Sequence, residues 1–319
     1  MRLIRCLITL ALLSATAAIC QVRITPGPEK IQVEINGKPF TDFYIAGPEV
    51  TKPYLHPLRA ASGTYVTRMW PMEKVAEEEK EVKDHQHQRG LWFAHDQVNG
   101  LDFWNNEASY TTPIRGKIVL KKLDGVTSGK DRGTISATFD WTNLKGELQL
   151  TETRVMTFYA DPALRTIDID VTLTAAQKVI FGDGKDGALA IRIRPVLQED
   201  KGTGHISNAD GMVTEKQAWG KPSNWCDYSG EINGEKVGIA VLNNPANPRP
   251  PGRFHVRAYG LLADNPFGLS VFTGDKTQNG AVTLEAGKSL RYRYRVIIHP
   301  GDVKSADIAG LWNRYIAGK

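Results

Sequence analysis

The chain has 319 residues with 40 Lys+Arg against 35 Asp+Glu, a formal net charge of +5. A hydrophobic content of 41% with 24% charged residues excludes a disordered or collagen-like chain. The mild excess of positive charge falls to 38 − 35 = +3 without Arg2 and Arg5, which argues against a nucleic-acid partner.

The N-terminus has the pattern of a signal peptide over residues 1–20. Arg2 and Arg5 form a basic head, an apolar run follows from Cys6 to Leu13, and small residues lead to Cys20. Cleavage after Ala18 or after Cys20 fits, whereas Ile19 disfavours a lipoprotein cut before Cys20. The run is too short to span a hydrocarbon core of about 30 Å, and no later stretch is apolar enough to do so. A secreted or periplasmic protein is expected, with residues 21–319 as one unit. Cys226 would be its only certain thiol, which leaves no disulfide framework and predicts a buried, inert side chain.

Strand signals dominate the rest. Ile31–Ile35 alternates, Asn36-Gly37 marks a hairpin turn, and Phe40–Tyr44 follows. Segments 114–122, 134–141, 147–159 and 165–174 repeat the pattern, the last with Ile167, Ile169, Val171 and Leu173 on one face. Segment 190–196 places Arg192 and Arg194 together, and 289–298 does the same for Arg291, Arg293 and Arg295. Helical spacing is clear only at Ile308, Leu311, Trp312, Tyr315 and Ile316, with Ser305 or Asp302 as the cap. The strands do not alternate with helices, which predicts an all-β fold: a large antiparallel β-sandwich with one C-terminal helix. The charged strand faces are either wet outer faces or a concave surface for a polar ligand.

Chemistry-bearing residues concentrate in Asp84-His85-Gln86-His87-Gln88-Arg89-Gly90-Leu91-Trp92-Phe93-Ala94-His95 and continue to Asp102 and Trp104. Extended backbone would turn His85, His87 and Arg89 to one side, where imidazoles can transfer protons or bind a metal. A zinc site would need further ligands from His95, His255 or a carboxylate. A glycine-rich loop holds Asp183 and Lys185, either as a plain turn or projecting into a pocket, and it lacks the spacing of an EF-hand. Trp219 with Lys221, and Trp225, suit stacking on a sugar ring. His255, Arg257 and Tyr259 share one face of an extended segment, and His299 reads as structural. No nucleophile elbow, P-loop, dinucleotide fingerprint or zincin helix occurs.

The block from Asp84 to His95, with Val98–Trp104, Phe181-Gly182-Asp183, Trp219-Gly220-Lys221, His255–Leu261, Asn265–Gly268 and Tyr294–His299, is similar to a bacterial secreted family labelled methane oxygenase PmoA-like, otherwise a domain of unknown function. The similarity covers essentially the whole mature chain. Gln88 stands where that family often has a further His, and Gly184 where it often has Thr. The label implies a membrane-embedded oxygenase subunit, for which this chain has no spanning segment. The fold implied is instead a galactose-mutarotase-like sandwich, which holds sugars with His, Arg, Asp and Trp.

The function expected is a carbohydrate-active enzyme working by general acid–base chemistry, with a glycoside or sugar as its ligand. His87 or His255 would transfer the proton, with Asp183 or Asp102 as partner carboxylate. Arg89, Lys185, Arg192 and Arg257 would bind hydroxyls or a uronate carboxylate, and Trp219 or Trp225 would stack. His85, His95, Trp104 and Lys221 complete the expected substrate contacts. Two rivals stand beside it: a non-catalytic sugar-binding protein, and a metal-dependent oxidase with copper or iron on His85, His87 and His95.

Overall fold

The computed structural model describes residues 21–318, so the leader expected over residues 1–20 lies outside the described residues. Among the described residues the strands are β1 (Val22–Pro26), β2 (Lys30–Ile35), β3 (Lys38–Tyr44), β4 (Tyr54–His56), β5 (Leu91–His95), β6 (Gly116–Thr127), β7 (Arg132–Asn143), β8 (Leu148–Tyr159) and β9 (Arg165–Ala175). They continue as β10 (Val179–Phe181), β11 (Gly187–Arg192), β12 (His205–Asn208), β13 (Trp225–Ile232), β14 (Glu235–Asn243), β15 (Arg253–Arg257), β16 (Leu261–Asn265), β17 (Val282–Leu284) and β18 (Ser289–Pro300). Helices are α1 (Glu215–Ala218), α2 (Leu269–Thr273) and α3 (Ile308–Ile316).

Two eight-stranded antiparallel sheets form the body of the fold. Sheet one has the order β1-β2-β3-β4-β5-β11-β16-β15, and sheet two the order β12-β13-β14-β18-β9-β8-β7-β6; β10 and β17 pair separately. The hairpin between β2 and β3 turns at Asn36 and Gly37, whose φ values of 55° and 73° suit the primed turn that matches strand twist. Strand β9 buries every second residue, and Ile167, Ile169, Val171 and Leu173 face sheet one. Edge-to-face ring pairs join the sheets: Phe43 with Phe139 at 6.1 Å, Phe40 with Phe158 at 6.2 Å, and Phe93 with Trp141 at 6.5 Å.

Three local expectations change. Strand β11 ends at Arg192 instead of running to Val196, because Pro195 opens a 3-10 turn over Pro195–Leu197. The cap of α3 is Asp307, whose carboxylate accepts from the Gly310 amide at 3.1 Å; Ser305 and Asp302 bond each other in the turn before it. Helix α3 is not the sole helix, since α1 and α2 form in loops beside β15 and β16. Helix α3 lays Leu311, Trp312 and Tyr315 on the outer face of sheet two, around Ile308, Leu242 and Ile297. No helix among the described residues is long and apolar enough to cross a membrane.

Candidate functional site

Strand parity defines the outer face of sheet one. Phe93 and His95 point into the core, so Trp92 and Ala94 point out. Ala188, Ala190 and Arg192 of β11 lie on that same face, paired with Ala94, with Trp92 and, on the other side, with β16. Ala263 of β16 and His255 of β15 extend the row outward. Trp92 and His255 are therefore three strands apart, about 14 Å. The alanines between them present a low floor, on which three loop segments rest.

The first segment is 84–89. It is not extended, as the sequence alone suggested. His85 has a left-handed φ of 44°, and the Gln88 amide donates to the His85 carbonyl at 2.9 Å, closing a turn through Gln86 and His87. His85 stacks on Tyr259 at 5.1 Å, and its ring meets His87 edge-on at 5.6 Å. His87 is buried with Nδ1 3.1 Å from the Tyr110 hydroxyl, and burial pushes its imidazole down to about 2, so it is neutral. Arg89 turns away from both histidines and forms a buried pair with Glu107. Arg192 reaches the Asp84 carboxylate at 2.9 Å and lies 4.6 Å over the Tyr259 ring, which fixes this turn to the sheet. Arg68 holds the same turn through Asp84 and the His85 carbonyl.

The second segment is 183–186. The Asp96 amide donates to the Asp186 carbonyl at 2.9 Å, immediately beyond the His95–Gly187 pair. Asp96 and Asp186 thus stand opposite each other in the backbone, where directly opposed residues lie only about 5 Å apart. The Asp96 carboxylate lies 3.5 Å from His95 Nδ1, and the Asp186 carboxylate lies against Lys185 and His255. Burial, the nearby Asp186 charge and then Asp102 push the Asp96 carboxyl up to about 7. Lys185 lies 2.9 Å from Asp186, and His255 Nδ1 sits 3.0 Å from the Lys185 carbonyl and 3.6 Å from the Asp186 carboxylate. Burial brings the His255 imidazole down to about 4. Neutral His255 therefore donates from Nδ1 to the Lys185 carbonyl, and its buried Nε2 has no hydrogen-bond partner among the described residues. Trp219 stands edge-on to His255 at 6.3 Å.

The third segment is 102–110. Asp102 accepts from the Trp104 and Asn105 amides at 2.9 and 2.7 Å, and burial raises its carboxyl. Trp104 is buried against Trp92 at 4.9 Å. Lys52 donates to the Trp104 carbonyl and to Asn106; burial lowers its amine to about 8, beside His87 and Glu107.

The expected site residues separate as follows. His85, His87, Lys185, Arg192, His255 and Trp219 share this face. Asp183 accepts the Ser270 amide at the start of α2, and Arg257 pairs with Glu215 at 2.7 Å. Lys221 is exposed beside β15. His95 points the other way, into the core, with its ring nitrogens 3.2 and 2.9 Å from the Asp186 and Gly182 carbonyls. The His85-His87-His95 ligand set is therefore not assembled, because strand parity puts His95 on the opposite side of the sheet. Among the described residues no three His, Cys, Asp or Glu side chains are grouped to hold a metal ion. Trp225 belongs to sheet two, packed with Ala240 and Ile308, away from the face. Cys226 is buried, and burial raises its thiol well above the ordinary range.

Tyr259 is among the residues the sequence singles out, whereas Asp96, Asp186, Tyr110 and Lys52 are not. A faint signal existed for two of them. Asp96 continues the Trp92-Ala94 alternation and Asp186 precedes the Ala188-Ala190 one, so each ends an apolar strand with an acid.

No curated protein matches the chain. Solved structures similar to it include a galactose mutarotase-like protein from Clostridium acetobutylicum, at 11% identity and TM-score 0.41, covering 88% of this chain and 98% of that one. A galactose mutarotase related enzyme from Lactobacillus acidophilus is similar at 9% identity and TM-score 0.36, covering 87% and 97%. The α-galactosidase AgaB of Geobacillus stearothermophilus follows at 10% identity and TM-score 0.40, covering 88% of this chain and 41% of the galactosidase. The sequence itself matches a family model over residues 30–313, and the chain belongs to that family, a family of unknown function, DUF6807.

Proposed function

We propose that the outer face of sheet one binds a carbohydrate and transforms it by general acid–base catalysis, with Asp96 and Asp186 as the proton-transfer pair. The observation that carries this reading is the backbone-paired Asp96 and Asp186, with the Asp96 carboxyl pushed up to about 7 by burial and by the nearby Asp186 charge. A carboxylic acid that keeps its proton at neutral pH can protonate a leaving oxygen, while an adjacent carboxylate can accept a proton or assist attack. Lys185 holds the Asp186 carboxylate, and neutral His255 packs 3.6 Å from it while donating to the Lys185 carbonyl. Exposed His85, stacked on Tyr259, supplies a hydrogen-bonding edge beside an aromatic face, and Trp219 offers a second ring for C–H stacking. In this reading His87 and His255, both buried and neutral at pH 7, stand as supports to the carboxylates and not as the proton donor. The leader-like residues 1–20 support export of the chain, so the substrate would be met outside the cytoplasm.

The test is a screen of nitrophenyl glycosides, free sugars and plant and bacterial oligosaccharides with wild type, Asp96→Asn and Asp186→Asn. Turnover of at least one substrate is expected, falling by about 10²–10⁴-fold in each variant. Saccharide binding without product in any case would assign the face to recognition alone. Turnover that survives both substitutions would sink the carboxylate assignment.

A further inference from the structure

The opposite side of the molecule carries a second groove, of about 750 Å³, on the outer face of sheet two. Its floor comes from alternate residues of β18, β9 and β8, and its wall from Tyr315 and Ile316 of α3 with the loop at Asn244 and Pro245. Parity sets the floor: Tyr292, Tyr294 and Val296 are buried in the core, so Arg291, Arg293 and Arg295 point outward. Asp168 and Asp170 of β9 lie opposite Arg295 and Arg293 in the register.

The ion pairing follows that register at Asp168 and departs from it at Asp170. Asp168 is engaged by Arg295 at 2.6 and 2.8 Å and by the Tyr159 hydroxyl at 2.7 Å. Asp170 is engaged by Arg291, one position along the face from Arg293. Both floor carboxylates are thereby neutralised, and among the described residues no ion pair reaches Arg293 or Arg132. Two guanidinium groups in one groove thus remain without a carboxylate. The Arg295 guanidinium sits between two rings, 5.3 Å from Tyr159 and 4.7 Å from Tyr315, which fixes both tyrosines at the groove.

We infer that this groove is a second binding site, for a carboxylate-bearing oligosaccharide, with Arg293 and Arg132 on uronate carboxylates and Tyr315 against a sugar ring. The demand for an anion follows from the unbalanced arginines, whose planar fork matches a carboxylate. The choice of a saccharide as its carrier rests on the carbohydrate reading of the opposite face. Bound there, a polymer would be held to the protein while the Asp96–Asp186 face works on another part of it, raising the local concentration of sugar.

The test is calorimetric binding of an α-1,4-linked tetragalacturonate, and of its neutral methyl ester, to the whole protein. Wild type, Arg293→Gln, Tyr315→Leu and Asp96→Asn are compared, with thermal melts to confirm folding. The acid tetramer is expected to bind, and to lose about tenfold or more in affinity in Arg293→Gln, as removal of a charged hydrogen bond implies. The methyl ester should bind wild type at least as weakly, added salt should weaken the acid tetramer, and Asp96→Asn should bind it unchanged. Equal affinity for acid and ester, or affinity indifferent to Arg293→Gln, would overturn the site. Binding lost in Asp96→Asn but kept in Arg293→Gln would place the ligand on the other face and overturn it too. A short DNA duplex binding as tightly as the tetramer would overturn the saccharide assignment. Because binding here is read without turnover, it can fail while the catalytic reading stands, and the reverse.

Discussion

Asp96 and Asp186 stand opposite each other just beyond the joined ends of β5 and β11, where the Asp96 amide donates to the Asp186 carbonyl at 2.9 Å. Burial first, and then the nearby Asp186 charge, push the Asp96 carboxyl up to about 7, so Asp96 is partly protonated at neutral pH. A carbon-13 NMR titration of the Asp96 carboxyl should give a midpoint near 7, and Asp186→Asn should lower it. A midpoint unmoved by that substitution would show that the two carboxylates are not coupled.

Gly184 is the residue that makes room for the Asp96 carboxylate. A Cβ at position 184 would lie 2.1 Å from Asp96 Oδ1 and 2.6 Å from Oδ2, with no flexible tip to move aside except the carboxyl itself. Gly184→Ala should therefore displace Asp96 and shift its titration midpoint, while Asp96→Asn/Gly184→Ala should suffer no further loss of turnover. Additive losses in the double variant would mean that Gly184 acts elsewhere.

Stability should carry two opposing pH dependences. Asp264 is fully buried, and burial raises its carboxyl from 3.8 to about 7. A raised folded value means that its contribution is complete below about pH 4 and is lost as the pH rises through 7. His56, His87, His95 and His255 are shifted the other way by burial, from 6.5 to about 3, 2, 4 and 4. Their contribution is complete above 6.5 and is lost as the pH falls toward those values. The two windows overlap between about pH 4 and 6.5, where the four imidazoles outweigh the one carboxyl, so thermal melts should rise with pH toward about 6.5. Asp264→Asn should gain in Tm relative to wild type between pH 4 and 8, and a constant difference across that range would contradict the assignment.

Between the sheets, Glu152 and Arg154 form a buried ion pair at 2.6 Å, and the Trp141 indole donates to Glu152 at 2.8 Å. Arg154 also lies over the Phe43 and Phe139 rings, at 5.8 and 5.5 Å. Arg154→Met alone strands a carboxylate in the core and should cost about 3–5 kcal/mol in urea unfolding, as broken buried pairs do. Glu152→Leu/Arg154→Met should recover most of that loss. A single variant as stable as wild type would mean that water reaches Glu152.

The sequence by itself determined the β architecture. Period-2 burial in Arg165–Ala175, the Asn36-Gly37 turn and the 3.6-residue spacing from Ile308 to Ile316 are local patterns, set by backbone geometry and by which face must leave water. It also marked the Asp84–His95 segment, His255 and Trp219 as polar or aromatic residues in unusual density. What it could not contain was pairing. Asp96 and Asp186 are ninety residues apart, and their opposition exists only because β5 and β11 adjoin in one sheet. The same holds for His95, whose direction follows from the parity of β5, and for Arg293, whose opposed carboxylate is captured by Arg291. Local periodicity tells which residues share a face; the order of the strands decides which charges meet there, and that order is fixed by the packing of the whole chain.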